Sequence, residues 1–201
     1  MTEKKERVGL AVHVLIDRSG SMCGEEIITT QAYNEYIDQL KMAVQATSVS
    51  LSFFSSTFRN KYADVLSYDV PELKTRDWHV GGGTCTPDAI WAALDMLEAV
   101  NAEQRVLVVL TDGSGASYAV SYEKAKGRVK KMVASGGAAI MLGANQDASY
   151  EGGRLGFPPE MCLTFGMRNV KRAMEAAALA TLKFANTGDI KASGFETKVI
   201  A

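Results

Sequence analysis

Only two histidines, His13 and His79, occur in 201 residues. Any general base drawn from the commonest catalytic side chain would have to be one of them, and His13 stands inside an apolar run. Cysteine is almost as scarce: Cys23, Cys85 and Cys162 form no Cys-x-x-Cys pair. An odd count without that spacing points away from a disulfide framework and a structural zinc site, and a reducing compartment fits such a chain. Neither sign of charge prevails, with 22 Lys and Arg against 23 Asp and Glu, a net charge of −1. That balance gives no electrostatic reason to expect nucleic acid or an anionic membrane as partner. No stretch approaches the ~20 apolar residues of a membrane span. The leading Met-Thr-Glu-Lys-Lys-Glu-Arg carries mixed charge, and the apolar run after it is interrupted by His13 and closed by Asp17. This is too short for a signal-peptide core with a cleavage site, so a free-standing cytoplasmic domain is expected. No Gly-Lys-Ser/Thr follows the glycines 81–83, which argues against a nucleotide P-loop, and Ser19, flanked by Arg18 and Gly20, sits in no Gly-x-Ser-x-Gly elbow.

What is present is an ordinary globular composition, 47% apolar and 22% charged, in a chain long enough for one domain with a full core. Apolar runs at 8–16, 105–110 and 138–142 read as buried strands. Alternation at 48–54 predicts another strand, with 58–64 as its antiparallel neighbour. A last short strand is expected at 161–165. Helical spacing covers 25–44, where Ile27, Ala32, Tyr33, Tyr36, Ile37, Leu40 and Val44 form a stripe. Further helices are predicted at 88–100, with Thr86 as N-cap and Pro87 in the first turn, and at 122–134, 150–155 and 169–184. Alternating strands and helices imply an α/β fold, a mostly parallel sheet covered on both faces. Residues 1–7 read as a polar lead, 8–187 as the domain and 188–201 as a loose tail.

The chemistry gathers at strand ends. The run from Val12 to Ile16 stops abruptly in Asp17-Arg18-Ser19-Gly20-Ser21-Met22. Spacing of two brings a carboxylate and two hydroxyls towards one point, and Gly20 eases the turn. A glycine-rich loop, Gly81-Gly82-Gly83-Thr84-Cys85-Thr86, delivers more hydroxyls just before a helix. The strand 105–110 ends in Thr111-Asp112-Gly113. Ligands of open α/β sheets sit beyond the carboxyl ends of strands, so one rim can hold all three segments. Hard oxygen donors suit Mg²⁺, Mn²⁺ or Ca²⁺. Arg18, Met22, Trp78 and His79 are expected around that rim as partner-contact candidates. Thr86 is either a cap or an alternative donor. The cationic run Lys124, Lys126, Arg128, Lys130 and Lys131 reads as a solvated helix face.

These three segments, in this order, resemble the von Willebrand factor A domain family. Asp17, Ser19 and Ser21 match its Asp-x-Ser-x-Ser motif, Thr84 its separate threonine, and Asp112 its Thr-Asp-Gly aspartate. The resemblance covers residues 8–145 well and the rest in general layout. It implies a Rossmann-like sheet with one antiparallel edge strand. It further implies a metal-ion-dependent adhesion site at which Asp17, Ser19, Ser21, Thr84 and Asp112 hold Mg²⁺, with Mn²⁺ or Ca²⁺ as alternatives. In the family the metal bridges to an Asp or Glu of a protein partner, so a cation-dependent protein-binding module without enzymatic activity is the expectation. A second reading is a self-associating structural subunit of a larger complex, a viral particle included. A third, metal-dependent hydrolysis, lacks an evident base or nucleophile. A phosphotransferase of the haloacid-dehalogenase type needs a second Asp where Ser19 stands.

Overall fold

The computed structural model describes residues 6–43, 45–113 and 115–189. Its elements run β1 (Val8–Asp17), α1 (Glu26–Leu40), β2 (Thr47–Phe54), β3 (Phe58–Leu66), α2 (Thr86–Ala99), β4 (Ala102–Thr111), α3 (Tyr122–Ala134), β5 (Ala138–Ala144), α4 (Ala148–Leu155), β6 (Cys162–Phe165) and α5 (Val170–Thr187). The sheet order is β3-β2-β1-β4-β5-β6. Every neighbouring pair is parallel except β2 with β3, which form the antiparallel edge. The chain steps outward from β1 to β2 on one side and returns to β4 on the other. Strand order therefore reverses between β1 and β4, and a crevice opens beyond their carboxyl ends.

Alternation along each strand builds two cores. Leu10, Val12, Val14 and Ile16 of β1 pack with Tyr33, Tyr36 and Leu40 of α1 and with Ala177 and Phe184 of α5. Ala11 and Leu15 face the other way, against Ile90 and Leu94 of α2 and Val129 of α3. Helices on both faces explain why all eight residues of β2 are buried despite its alternating serines. Those serines are satisfied internally: Ser48 Oγ donates to Asp64 at 2.6 Å, and Ser50 Oγ accepts the Asp64 N–H at 3.0 Å.

The C-terminal end of α1 falls short of the sequence expectation. α1 stops at Leu40, where Met42 N–H turns back to the Gln39 carbonyl and Ala43 N–H to that of Leu40. These i→i+3 bonds tighten the last turn and end the helix. Val44 lies outside the described residues, as do residues 1–5 of the lead and 190–201 of the tail. No helix among the described residues is long and apolar enough to cross a membrane.

α4 ends on Gly156, at φ +88°, whose N–H returns to the last turn of the helix. A side chain there would begin 2.6 Å from the Lys126 carbonyl oxygen of α3. Gly156→Ala combines a left-handed backbone with a clash against fixed main chain. A destabilisation of about 2–4 kcal/mol is expected in urea titrations. A loss below ~1 kcal/mol would mean that α3 and α4 separate easily.

His13 is fully buried on the α2 side of β1. Its Nε2 lies 2.9 Å from Ser52 Oγ, its Nδ1 has no partner among the described residues, and burial lowers its pKa to about 3. The unfolded chain takes up this proton near pH ~6.5, whereas the folded one does so only near pH 3. The stability tied to neutral His13 is therefore complete above pH ~6.5 and is lost as the pH falls towards 3, by about 1.4 kcal/mol per pH unit. His13→Leu should flatten the unfolding free energy between pH 6.5 and 4.5, an interval lying between the unfolded and folded pKa values. An unchanged slope would assign acid sensitivity to other groups.

Candidate metal centre at the strand ends

Asp17 is the last residue of β1 and is fully buried. Its Oδ1 accepts the Ser19 N–H at 2.7 Å, closing an Asx-type turn, and its Oδ2 accepts the Thr111 hydroxyl at 2.6 Å from the end of β4. Ser19 Oγ lies 3.1 Å from Ser21 Oγ, which donates to Asp112 Oδ1 at 2.7 Å. Hydrogen bonds thus link Asp17, Ser19, Ser21 and Asp112 in turn across the β1/β4 crevice, the first through the Ser19 N–H and the next two between side-chain oxygens. Burial pushes the Asp17 carboxyl above the usual carboxylate range; hydrogen bonds from Thr111 and Ser19 oppose this, and the Asp112 charge adds to the rise.

The glycine loop is fastened beside these residues. Gly81 N–H donates to the Arg18 carbonyl at 2.8 Å, Gly20 N–H to the Gly82 carbonyl at 3.0 Å, and Gly83 N–H to Ser56 Oγ at 2.8 Å. Gly82 takes φ +83°, and a side chain there would start 2.8 Å from Ser56 Oγ, so this crossing requires glycine. The loop delivers Thr84, whose Oγ1 lies 3.8 Å from the Cβ position of Gly113, the residue after Asp112. All five predicted donors therefore meet at one rim. A third clamp is Asp88 in the first turn of α2, which accepts the N–H groups of Tyr118, Ala119 and Val120 at 2.8–3.0 Å. Burial works against ionisation of Asp88, yet those amides hold its carboxyl below the ordinary range.

Among the described residues no three His, Cys, Asp or Glu side chains cluster as a metal site. The rim offers a different donor set, two carboxylates with three hydroxyls, and oxygen throughout. A desolvated carboxylate beside a second one is an electrostatic arrangement that a hard cation relieves, so the residues fit Mg²⁺, Mn²⁺ or Ca²⁺.

Three of the partner-contact candidates prove to be interior. Met22 is fully buried in the α1/α5 core. Trp78 is 3% exposed, stacks on Phe53 at 5.5 Å and donates from Nε1 to Thr30 Oγ1 at 3.0 Å. The loop before α2 folds back over the sheet and uses the indole as its plug. Thr86 is 1% exposed and is the first residue of α2, with Cys85 as N-cap and no side-chain capping bond. Cys85 N–H is held by the Ser55 carbonyl and the Thr84 carbonyl by Ala116 N–H, so the chain enters the helix one residue early. The Thr86 hydroxyl then turns under Gly115 and has no partner among the described residues. Arg18, half-buried, and His79, exposed, do stand at the rim. Tyr118, 67% exposed with its hydroxyl 3.6 Å from the Gly83 Cβ position, stands there too. It follows the Thr-Asp-Gly turn in a stretch without periodicity, and the Asp88 clamp that places it leaves no local sequence signal.

Other polar residues have plain structural duties. Asn145, at φ +54°, accepts Met167 N–H, and Asp147 caps α4 through Tyr150 N–H. On α3, Arg128 pairs with Asp95 and Glu98 of α2 and lies over the Trp91 ring at 4.6 Å. The three thiols are free; Cys23 is exposed, whereas Cys85 is buried and pushed up to about 11, chiefly by burial.

Fold and rim together define an α/β sheet domain whose oxygen donors converge at the strand-order reversal. Residues 11–178 match the von Willebrand factor type A domain, and the chain belongs to that family. Domains of this family are commonly protein-interaction or adhesion modules. No curated protein matches the sequence. Among solved structures it is similar to the pilus adhesin SpaC from Lactobacillus rhamnosus GG, at 14% identity over 87% of this chain and 31% of that one, with a TM-score of 0.69. It is also similar to the von Willebrand domain of a type V pilus tip protein from Porphyromonas gingivalis, at 12% identity over 85% and 94% of the two chains, with a TM-score of 0.68. A third likeness is to proximal thread matrix protein 1 from the mussel byssus, at 15% identity over 85% of this chain and 45% of that one, with a TM-score of 0.66. The chain therefore spans less than half of the byssal protein, one form of which has a zinc-occupied MIDAS motif. At such identities the likeness is one of fold.

Proposed function

We propose that this domain binds a protein partner through a divalent cation held by Asp17, Ser19, Ser21, Thr84 and Asp112. The observation that supports the reading is the run of hydrogen bonds from buried Asp17, through the Ser19 N–H, to the side-chain oxygens of Ser19, Ser21 and Asp112. Bound Mg²⁺ would supply a Lewis-acidic point for a carboxylate from outside, and Mn²⁺ or Ca²⁺ fits the same donors. Asp17 anchors the β1 side, oriented by the Thr111 hydroxyl, and Asp112 provides the second negative charge from β4. Ser19, Ser21 and Thr84 would contribute neutral oxygens, and an Asp or Glu of the partner would complete the set of ligands. With only two anionic donors, attraction for a third carboxylate is retained.

Binding without turnover suits the rim. Cys85 is a buried thiol with a raised pKa, and among the described residues neither histidine is hydrogen-bonded to a rim serine or threonine hydroxyl as base and nucleophile. Three unpaired cysteines suit a cytoplasmic location.

The test is a pull-down from native lysate in Mg²⁺ and in EDTA. A partner retained only with Mg²⁺ is the expected result. Identical capture in both buffers would remove the cation from the binding step.

A further inference from the structure

We infer that the partner presents two acidic residues, the first to the metal site and the second to a guanidinium pair formed by Arg18 and Arg59. This rests on the metal-site reading above. Arg18 lies between two of the donors, Asp17 and Ser19, and its N–H donates to the Phe54 carbonyl at 2.7 Å. Arg59 stands opposite Phe53 in the β2–β3 pairing, one step along the same corner, and is exposed. Asp17 faces the α2 side of the sheet, so Arg18, next in sequence, turns to the opposite side, where Phe53 and its cross-strand neighbour Arg59 lie. There Arg18 Nη1 donates to the His79 carbonyl at 3.1 Å, while its Nε is buried without a partner among the described residues.

Among the described residues neither arginine has a carboxylate within ion-pair distance. Asp77, next to Trp78, is engaged by Lys61 at 3.2 Å and by the Lys74 N–H at 2.9 Å. Glu26 at the start of α1 is turned to the Gly24 N–H at 2.8 Å. Arg18 follows Asp17, which lies opposite Phe54, and Arg59 lies opposite Phe53, so the two like charges share one corner of the sheet and repel. A carboxylate from outside relieves that repulsion and matches the planar fork of arginine. Carboxylates at alternate positions of an extended peptide project to one side, so a Glu-x-Glu segment can address metal and arginines together.

The test uses two synthetic peptides in a glycine-serine frame, one with a single Glu and one with Glu-x-Glu, titrated into the Mn²⁺-loaded domain by fluorescence anisotropy. The two-Glu peptide should bind about tenfold tighter at low salt. Arg59→Gln, which leaves every metal donor in place, should reduce that preference to about twofold. Absence of a preference in the wild type, including absence of any binding, overturns the inference, as does a preference that Arg59→Gln leaves unchanged. Electron paramagnetic resonance of Mn²⁺ on the same samples separates the two levels. Bound Mn²⁺ without peptide preference defeats the arginine pair alone, and failure to bind Mn²⁺ defeats the metal site beneath it.

Discussion

Asp112→Ala should reduce Mg²⁺ affinity by at least ~100-fold while leaving the fold intact. A unit charge about 4 Å from another is worth ~4 kcal/mol at an effective dielectric of 20, and a divalent ion doubles the attraction. Solvent at this half-buried rim screens part of it. The structural cost is small, because Asp112 accepts one hydrogen bond, from Ser21, whose hydroxyl keeps Ser19 as a neighbour. Isothermal titration with Mg²⁺, paired with thermal unfolding in EDTA, measures both quantities. Asp17→Ala is a less clean probe, since it removes the acceptor for Ser19 N–H and Thr111 hydroxyl in a buried place. Wild-type Mg²⁺ affinity in Asp112→Ala would place the cation elsewhere or nowhere on this rim.

Trp78→Ala should cost about 3–5 kcal/mol of stability, the range for deleting a large buried ring. The indole stacks on Phe53 with the planes 7° apart, and its loss also strips Thr30 of a hydrogen bond. In a domain of this size, each kcal/mol lowers Tm by about 2–4 °C, so a fall of about 6–20 °C is expected. Partner binding measured well below the lowered Tm should stay within about twofold of wild type, because the ring presents almost no surface. Trp78→Phe should recover part of the stability, since it keeps a ring on Phe53. Lost binding with an unchanged Tm would make Trp78 a contact residue after all.

Trp78 also shows where sequence reasoning stops. Continuous apolar runs located the central strands and alternation located β2, and the meeting of all five predicted oxygen residues followed from their positions just past strand ends or just before a helix. What patterns could not show was which side of a loop faces inward. Met22 and Trp78 lie in segments without periodicity, and their burial depends on how the loops before α1 and α2 fold back onto α1, α5 and β2. Thr86 was misplaced by a single residue because long-range backbone bonds to Ser55 and Ala116 set the start of α2. The serines of β2 alternate like a solvated face, yet they are buried beside His13 and Asp64 under the second helical layer. Arg59 and Tyr118 gain meaning only from neighbours roughly 30 to 40 positions away in the chain.

The central place of β1 has a consequence for how the molecule is made. β1 pairs with β2, which emerges from the ribosome soon after it, but its other edge waits for β4, with Val14 opposite Val108. At about 5–20 residues per second, the intervening stretch of roughly 90 residues takes about 5–20 s to synthesise. Throughout that interval the most apolar strand of the nascent chain carries an open edge, the state in which sheets mispair. Asp17 is likewise without Thr111, 94 positions downstream, so the rim is assembled last among the features that β1 begins. Acquisition of cation binding by stalled nascent chains should therefore coincide with release of β4 from the exit tunnel, which would make the proposed metal site a clock for completion of the sheet.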